Sequence, residues 1–337
     1  MKRTLYIHIG AHRTATTSAQ KFMQTNFVRL QEKGFFNPFA AGRHFALINR
    51  IFRGEVTVAE TAADLEERAD AKKYSIHTIV LSDEDICTRR DLSPLADFRE
   101  RFDVKIVMML RRQDLWIESW YQQNVKWQWK PDLCHLRFDA FLARRDEFFW
   151  IDYDRTLRQC EDLFGRANVI ARVFEPAQMP QGANAMFCDA IGLRDLKGLI
   201  PYAHVNSSLS PLMTEFMRTL PLHEAPGSQR RIFEQACTRV DGQLRATHGK
   251  QSSLYMDAAT RQAVLAEYDA GNRAVAQRHF GRDSLFLDPL PPRDAPLAQQ
   301  DLPADSQTTM EMLVAPMVRA LIALRKEEAD AADKSSR

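Results

Sequence analysis

Cysteine is scarce in this chain. Cys87, Cys134, Cys160, Cys188 and Cys237 make an odd number with no CxxC pair and no interleaved histidine spacing, so neither a disulfide framework nor a zinc site is indicated and reduced structural thiols are expected. Long apolar runs are missing as well. Nothing approaches the roughly 20 apolar residues that cross a bilayer. Met1-Lys2-Arg3-Thr4 leads straight into a short apolar stretch without the hydrophobic region and cleavage site of a signal peptide. A cytoplasmic location is therefore expected, with peripheral contact at the inner membrane left open. Charge of one sign is lacking too: 46 basic against 44 acidic residues leave a net +2, which gives no bulk reason to expect nucleic acid as a partner. Any anion site has to be local. With 45% hydrophobic and 27% charged residues over 337 positions, the composition is that of a globular protein, and no internal repeat is evident.

Four short apolar runs read as strands: Leu5 to Ile9, Thr78 to Leu81, Lys105 to Leu110 and Val169 to Phe174. Helical spacing fills the intervals at Thr16 to Gln31, Ala59 to Lys72, Leu115 to Gln128 and Tyr153 to Phe164. Alternation of strand and helix predicts a doubly wound parallel sheet flanked by helices. From about Leu209 the pattern turns wholly helical, over Ser210 to Leu220, Gly227 to Thr247, Asp257 to Phe280 and Thr308 to Glu327, which reads as a C-terminal helical cap. Pro289, Pro291, Pro292, Pro296 and Pro303 predict an extended strap before the last helix. The expected organisation is an α/β core over 1–205, a helical part of the same domain over 206–288, a strap and C-terminal helix over 289–328, and a disordered tail over 329–337.

The first strand runs into Gly10-Ala11-His12-Arg13-Thr14-Ala15-Thr16-Thr17-Ser18, a compact turn and a helix start with three consecutive hydroxyl residues. Backbone N–H groups and the helix dipole make such a junction a ready anion site. The Walker A template puts Ala15 at its second glycine and Thr16 at its lysine. A nucleoside triphosphatase would lack its phosphate-bridging cation. The cation sits instead at Arg13, inside the turn.

The stretch His12 to Ser18 resembles the 5′-phosphosulfate loop of the sulfotransferases that use 3′-phosphoadenosine 5′-phosphosulfate (PAPS), usually Lys-x-Gly-Thr-Thr or Lys-x-Gly-Thr-Ser. Arg13 stands for the lysine, exchanging a compact ammonium for a planar fork. Ala15 stands for the glycine, and its methyl group adds strain of about 1 kcal/mol or more if that position requires a positive φ. A second motif follows the third strand. Arg111 at the strand end and Ser119, eight residues later on the next helix, resemble the arginine and serine that hold the 3′-phosphate in the same family. Gln113 replaces the family's proline; Arg112 reads as a surface charge or an acceptor contact. The aromatic stripe Trp116, Trp120, Tyr121, Trp127 and Trp129 reads as packing, with a ring near the cleft as a stacking platform for adenine or a sugar. Weaker likeness to bacterial carbohydrate-type members runs over Leu163 to Ile170, Val205 to Ser210 and Asn272 to Phe280, within about residues 4 to 287.

The resemblance implies a P-loop-like α/β fold and a sulfuryl transfer in which Gly10, His12, Arg13, Thr14, Ala15, Thr16, Thr17 and Ser18 hold the 5′-phosphosulfate and Arg111 and Ser119 the 3′-phosphate. Arg13 would neutralise the leaving oxygen. Adenosine 3′,5′-bisphosphate would be the product, no metal would be required, and a bacterial carbohydrate or glycolipid would be the acceptor. The acceptor's proton needs a base, for which Glu84, after the second strand, and His44, after the first helix, are candidates. Repulsion between Asp83 and Asp85 is expected to raise one of their pKa values. Two alternatives stay open: a P-loop nucleotide or small-molecule kinase, with Asp83 or Asp85 as a Walker B acid, and a non-catalytic nucleotide-binding relative.

Overall fold

A computed structural model of the chain describes residues 2–202, 208–249 and 251–335. Val205, Asn206 and Ser207 of the expected segment after the core, and the last two residues of the expected tail, lie outside the described residues.

The chain opens with β1 (Thr4–Gly10), α1 (Thr16–Thr25), α2 (Phe27–Glu32), β2 (Phe35–Phe36), α3 (Phe45–Phe52), α4 (Val58–Asp70), β3 (Thr78–Ser82) and β4 (Asp103–Leu110). There follow α5 (Gln113–Trp127), α6 (Pro131–Cys134), α7 (Phe138–Ala143), α8 (Tyr153–Phe164), β5 (Val169–Val173) and α9 (Ala183–Ala190). The remainder is helical: α10 (Pro211–Thr219), α11 (Gly227–His248), α12 (Ala258–Val275), α13 (Ser306–Thr309) and α14 (Ala315–Ser335). All four expected strands are present. The two-residue β2 escaped notice because Phe35-Phe36 is too short to show a period.

Helix periodicity over 16–31 covers two helices, because Asn26 interrupts them. Its buried amide donates to Phe22 O at 3.0 Å and Ile200 O at 2.9 Å and accepts from Ile200 N at 2.7 Å, drawing a distant segment onto the break. The last helix continues to Ser335, through most of the segment expected to be a disordered tail. Its run of alanine, lysine and acidic residues favours helix as much as solvation.

Two compact units interleave along the sequence. The first comprises Met1–Gln113, Phe148–Val205 and Val264–Leu290, the second Asp114–Glu147, Asn206–Ala263 and Pro291–Arg337. The expected linear division at 205 and 288 is thus replaced by one in which 264–290 belongs with the sheet and 114–147 with the helices.

In the first unit five parallel strands take the order β2-β3-β1-β4-β5. The chain leaves β1 toward β3 on one side and later reaches β4 on the other. Parallel strands share one carboxyl edge, and ligands of open α/β sheets bind there, where the order reverses. Val107 and Met109 of β4 face a core with Phe22 and Met23 of α1, Phe187 of α9 and Ile191 just after it. Ile106, Met108 and Leu110 point the opposite way by strand alternation and are equally buried, with α8 packed against β4 and β5. Burial on both faces explains why these strands read as continuous apolar runs.

The second unit is helical. Asp114 and Glu118, one turn apart on α5, grip the buried Arg261 of α12, with 2.7 Å from Glu118 Oε1 to the guanidinium. The same oxygen accepts from the Tyr255 and Met256 amides at 2.8 and 2.9 Å. Trp116 and Trp120 stack at 5.4 Å, and both are buried, so this part of the aromatic stripe is packing. Among the described residues no helix is long and apolar enough to cross a membrane.

Candidate functional site

The loop after β1 reverses through two left-handed residues, Arg13 at φ 65° and Ala15 at φ 61°, with Thr14 between them at ordinary negative φ. Alternation of left- and right-handed residues is the backbone pattern in which successive N–H groups form an anion-binding nest. The Thr14 hydroxyl fixes the turn by donating to Ala11 O at 2.5 Å, and Ala11 N donates to Met109 O at 3.2 Å. Ala15 is the N-cap of α1 and has no side chain to accept from the first turn. Thr16 and Thr17 occupy the first two helical positions, whose amides have no carbonyl of an earlier turn to meet. The expectation about Ala15 is therefore sharpened: the position does take a positive φ, and an L-residue pays for it. The Ser18 hydroxyl donates to Asn184 Oδ1 on α9 at 3.0 Å.

Arg111, at the end of β4, donates from Nη1 to Arg13 O at 2.8 Å, and its guanidinium carbon stands 5.8 Å from the centre of the Phe174 ring. The Tyr153 hydroxyl bridges the Arg111 backbone, accepting from its N–H at 3.1 Å and donating to its carbonyl at 2.5 Å. Burial and the neighbouring Arg111 push Arg13 down to about 10. Two cations thus stand side by side at the start of α1. Ser119 is buried on α5 within the second unit. Arg112 is a correction: far from a surface charge, it is buried and donates to the carbonyls of Asp288 and Pro289 at 2.9 and 3.2 Å.

The acids after β3 stand at the same sheet edge. Arg43 reaches all three, with 2.6 Å to Asp83, 3.4 Å to Glu84 and 2.7 Å to Asp85. Asp85 also meets His12 Nε2 at 3.0 Å, so the His12 ring is engaged with the acids after β3. Burial drives the Asp83 pKa up against the opposing Arg43, so desolvation rather than like-charge repulsion is the main cause. Burial also lifts Asp85, but its bonds to His12 and Arg43 outweigh this and leave it lowered.

Glu84 packs against the loop so closely that a methyl group on Gly10 would meet its Cα, Cβ and carbonyl oxygen at 3.3 Å. Gln20 of α1 donates to Glu84 Oε2 at 2.5 Å and to Ser82 Oγ at 3.3 Å, and Ser82 Oγ lies 2.9 Å from His8 Nδ1. A buried polar row thus links β1, α1 and β3 and ends on the Glu84 carboxylate. Sequence reasoning missed Gln20, Ser82, His8 and Arg43. Gln20 follows the loop after β1 by one helical turn, the one signal that would have found it.

His44 is not brought to the site as a base. Its Nδ1 accepts from Ser82 N–H at 3.0 Å and its Nε2 stands 3.1 Å from Pro38 O, so both ring nitrogens are engaged in a buried brace. Burial lowers its pKa and holds it neutral. Of two open cavities, of about 700 and 620 Å³, the first is lined by Arg29, Lys33 and His77, and the second by Arg158, Gln159, Tyr268 and the Tyr153 that braces the Arg111 backbone.

No protein-family model matches the chain. It is 25% identical over 204 residues to an uncharacterized protein of Archaeoglobus fulgidus, a match covering 58% of this chain and 52% of that protein, about half the length of that relative. A solved sulfotransferase structure from Alicyclobacillus acidocaldarius is similar with a TM-score of 0.40 and 16% identity, covering 75% of this chain and 98% of that one.

Proposed function

We propose that this chain is a PAPS-dependent sulfotransferase that moves a sulfuryl group to a hydroxyl or amine of an acceptor, with a bacterial carbohydrate or glycolipid as the acceptor class. The observation that carries this reading is the seating of Arg13: a cation inside a left-handed turn, beside Arg111, at the start of a helix whose Walker position is Thr16. A charge there faces the leaving oxygen of a phosphosulfate rather than the far end of a triphosphate.

In this mechanism the amides of Thr16 and Thr17 and the Arg13 guanidinium hold the 5′-phosphosulfate, and Arg111 holds the 3′-phosphate. The acceptor oxygen forms its new bond to sulfur as the bond from sulfur to the bridging oxygen breaks. The electron pair of the broken bond stays on adenosine 3′,5′-bisphosphate, where Arg13 stabilises it. The acceptor's proton passes to Glu84, which Gln20 orients at 2.5 Å. Arg13 supplies the cation that Mg²⁺ supplies in a kinase, so the step requires no metal.

A nucleotide kinase is less well supported, because Asp83 and Asp85 are already tied to Arg43 and His12. A non-catalytic relative would bind the nucleotide and fail to transfer. Thermal unfolding with adenosine 3′,5′-bisphosphate and with Mg-ATP, followed by transfer of a labelled sulfuryl group to acceptors of this class, separates the three. A ligand at a hundredfold excess over its Kd stabilises by about 2.7 kcal/mol, well within measurement. A stronger response to Mg-ATP would favour the kinase; nucleotide binding without transfer would favour the silent relative.

A further inference from the structure

The second unit carries a cluster that the proposed reaction does not use. Cys134 ends α6, His135 follows it, and His223 lies in the short turn Leu222–Glu224. One ligand atom from each, a sulfur and two ring nitrogens, lies within 4.8 Å of the others. We propose that Cys134, His135 and His223 bind a borderline-soft transition-metal ion of the Zn²⁺ class, clipping the turn after α6 to the turn after α10.

The two imidazoles are aimed for it. His135 Nδ1 lies 2.7 Å from Arg218 O, which fixes the proton on Nδ1 and leaves the Nε2 lone pair pointing at the cluster. An N–H bonded to a backbone carbonyl behind the ligating nitrogen is the usual outer-shell arrangement of a metal-binding histidine. His135 Nε2 and His223 Nδ1 are 3.0 Å apart. Bonds of about 2.0–2.1 Å to a tetrahedral Zn²⁺ would set two nitrogens about 3.3 Å apart and a nitrogen about 3.6 Å from sulfur. A small opening of the pair and a rotation of Cys134 reach this.

The frame around the three residues is fixed from both sides. Arg218 Nη1 donates to His135 O at 2.8 Å; His223 N donates to Gln128 Oε1 at 3.0 Å, and His223 O accepts from Arg230 at 2.9 Å. Cys134 is fully buried, while His135 and His223 are part-exposed and give an ion its way in. On binding, the Cys134 thiol loses its proton to solvent and the His223 proton moves to Nε2, so each ligand presents a lone pair. Three protein ligands leave the fourth position of a tetrahedral ion to water. The cluster escaped the sequence because Cys134 and His135 are adjacent and His223 is distant, which matches no spacing template.

The full chain, dialysed against a chelator, is titrated with Zn²⁺ by calorimetry and with Co²⁺ by absorbance. One ion per chain is expected, with a thiolate-to-metal charge-transfer band for Co²⁺. Cys134→Ser should abolish that band. Both Cys134→Ser and His223→Asn should weaken Zn²⁺ binding by about 100-fold or more, beyond the loss an outer-shell change causes. His223→Asn changes a part-exposed turn residue and remains readable if the buried serine impairs folding. Co²⁺ bound without the band, no binding at all, or Zn²⁺ affinity unchanged in His223→Asn would leave a hydrogen-bonded imidazole pair and overturn the proposal. No residue of the sulfuryl-transfer reading is touched, so the two stand or fall separately.

Discussion

After β1 the chain turns through two left-handed residues, Arg13 and Ala15, whereas after β4 it leaves through Arg111 and Arg112 with neither at positive φ. The first junction is shaped by backbone: two residues at positive φ, an N-cap whose methyl group cannot accept a hydrogen bond, and one cation carried inside the turn. The second works through side chains, and its adjacent arginines have separate duties. Arg111 reaches the loop of the first junction, while Arg112 is buried on the carbonyls of 288 and 289. A site of the first kind is sensitive to φ; one of the second kind is sensitive to charge and hydrogen bonding.

The largest effect is expected at the cation of the first junction. Arg13→Ala should lower kcat about 10²–10³-fold, the usual loss of one donor that acts on developing charge, and weaken PAPS binding far less. Arg13→Lys should keep much of the rate, because the charge is preserved. Turnover at saturating PAPS, beside direct nucleotide binding, checks this; a loss confined to binding would reduce Arg13 to part of the cradle.

Next comes the polar row beneath that junction. Burial drives His8 from 6.5 down to about 4, only partly opposed by the Glu84 charge. Above pH 6.5 both folded and unfolded chains carry this ring neutral, so it contributes no pH dependence. As pH falls from about 6.5 toward 4, the unfolded chain takes a proton that the folded chain refuses, and stability is lost. For His8 alone this amounts to about 3 kcal/mol, and His44, also lowered by burial, acts in the same direction. Urea unfolding between pH 7 and 5, where ordinary carboxylates hardly titrate, should show the decline. A flat profile would mean the row beneath the loop is hydrated.

The second junction is tested by its paired arginines. Arg111→Ala should weaken adenosine 3′,5′-bisphosphate roughly ten- to a hundredfold, with a 3′-dephosphorylated analogue almost unaffected. Arg112→Ala should leave nucleotide affinity alone and cost about 1.5–3 kcal/mol of stability, since two buried carbonyls lose a charged donor. Equal loss of both nucleotides in Arg111→Ala would remove the arginine from the 3′-phosphate and leave it as a prop for the Arg13 carbonyl.

Much of this was legible in the sequence. Apolar runs announced β3 and β4, buried on both faces over most of their length, and also β1 and β5, where part-exposed residues alternate with buried ones; the strand-turn-helix pattern singled out the first junction. What stayed hidden depends on long-range geometry. Nothing local distinguishes Arg112 from Arg111, since the carbonyls that engage Arg112 come from residues 288 and 289. His44 looked like a spare base because its partners, Pro38 O and Ser82 N, are backbone groups without a sequence signature. The row from His8 through Ser82 and Gln20 to Glu84 joins three elements, and only the parallel pairing His8↔Ser82 brings its ends together.

The smallest effect separates the junctions most cleanly. Ala15 sits at φ 61°, ψ 24°, where the methyl group of an L-residue costs about 1–2 kcal/mol. Glycine removes that cost, and it is a better N-cap than alanine, but it gives the unfolded chain more freedom, which takes back about 0.4–1 kcal/mol. Ala15→Gly should therefore stabilise the protein by roughly 0.5–1 kcal/mol in chemical denaturation, with nucleotide affinity unchanged or slightly improved. Two controls fix the cause. Thr17→Gly, one turn position into α1, meets ordinary helical φ and should destabilise by up to about 1 kcal/mol. Arg112→Gly has no positive φ to relieve at the second junction and should lose stability at least as much as Arg112→Ala. If Ala15→Gly destabilises like Thr17→Gly, the first junction is not left-handed in solution, and the nest that would hold the phosphosulfate is not formed as described.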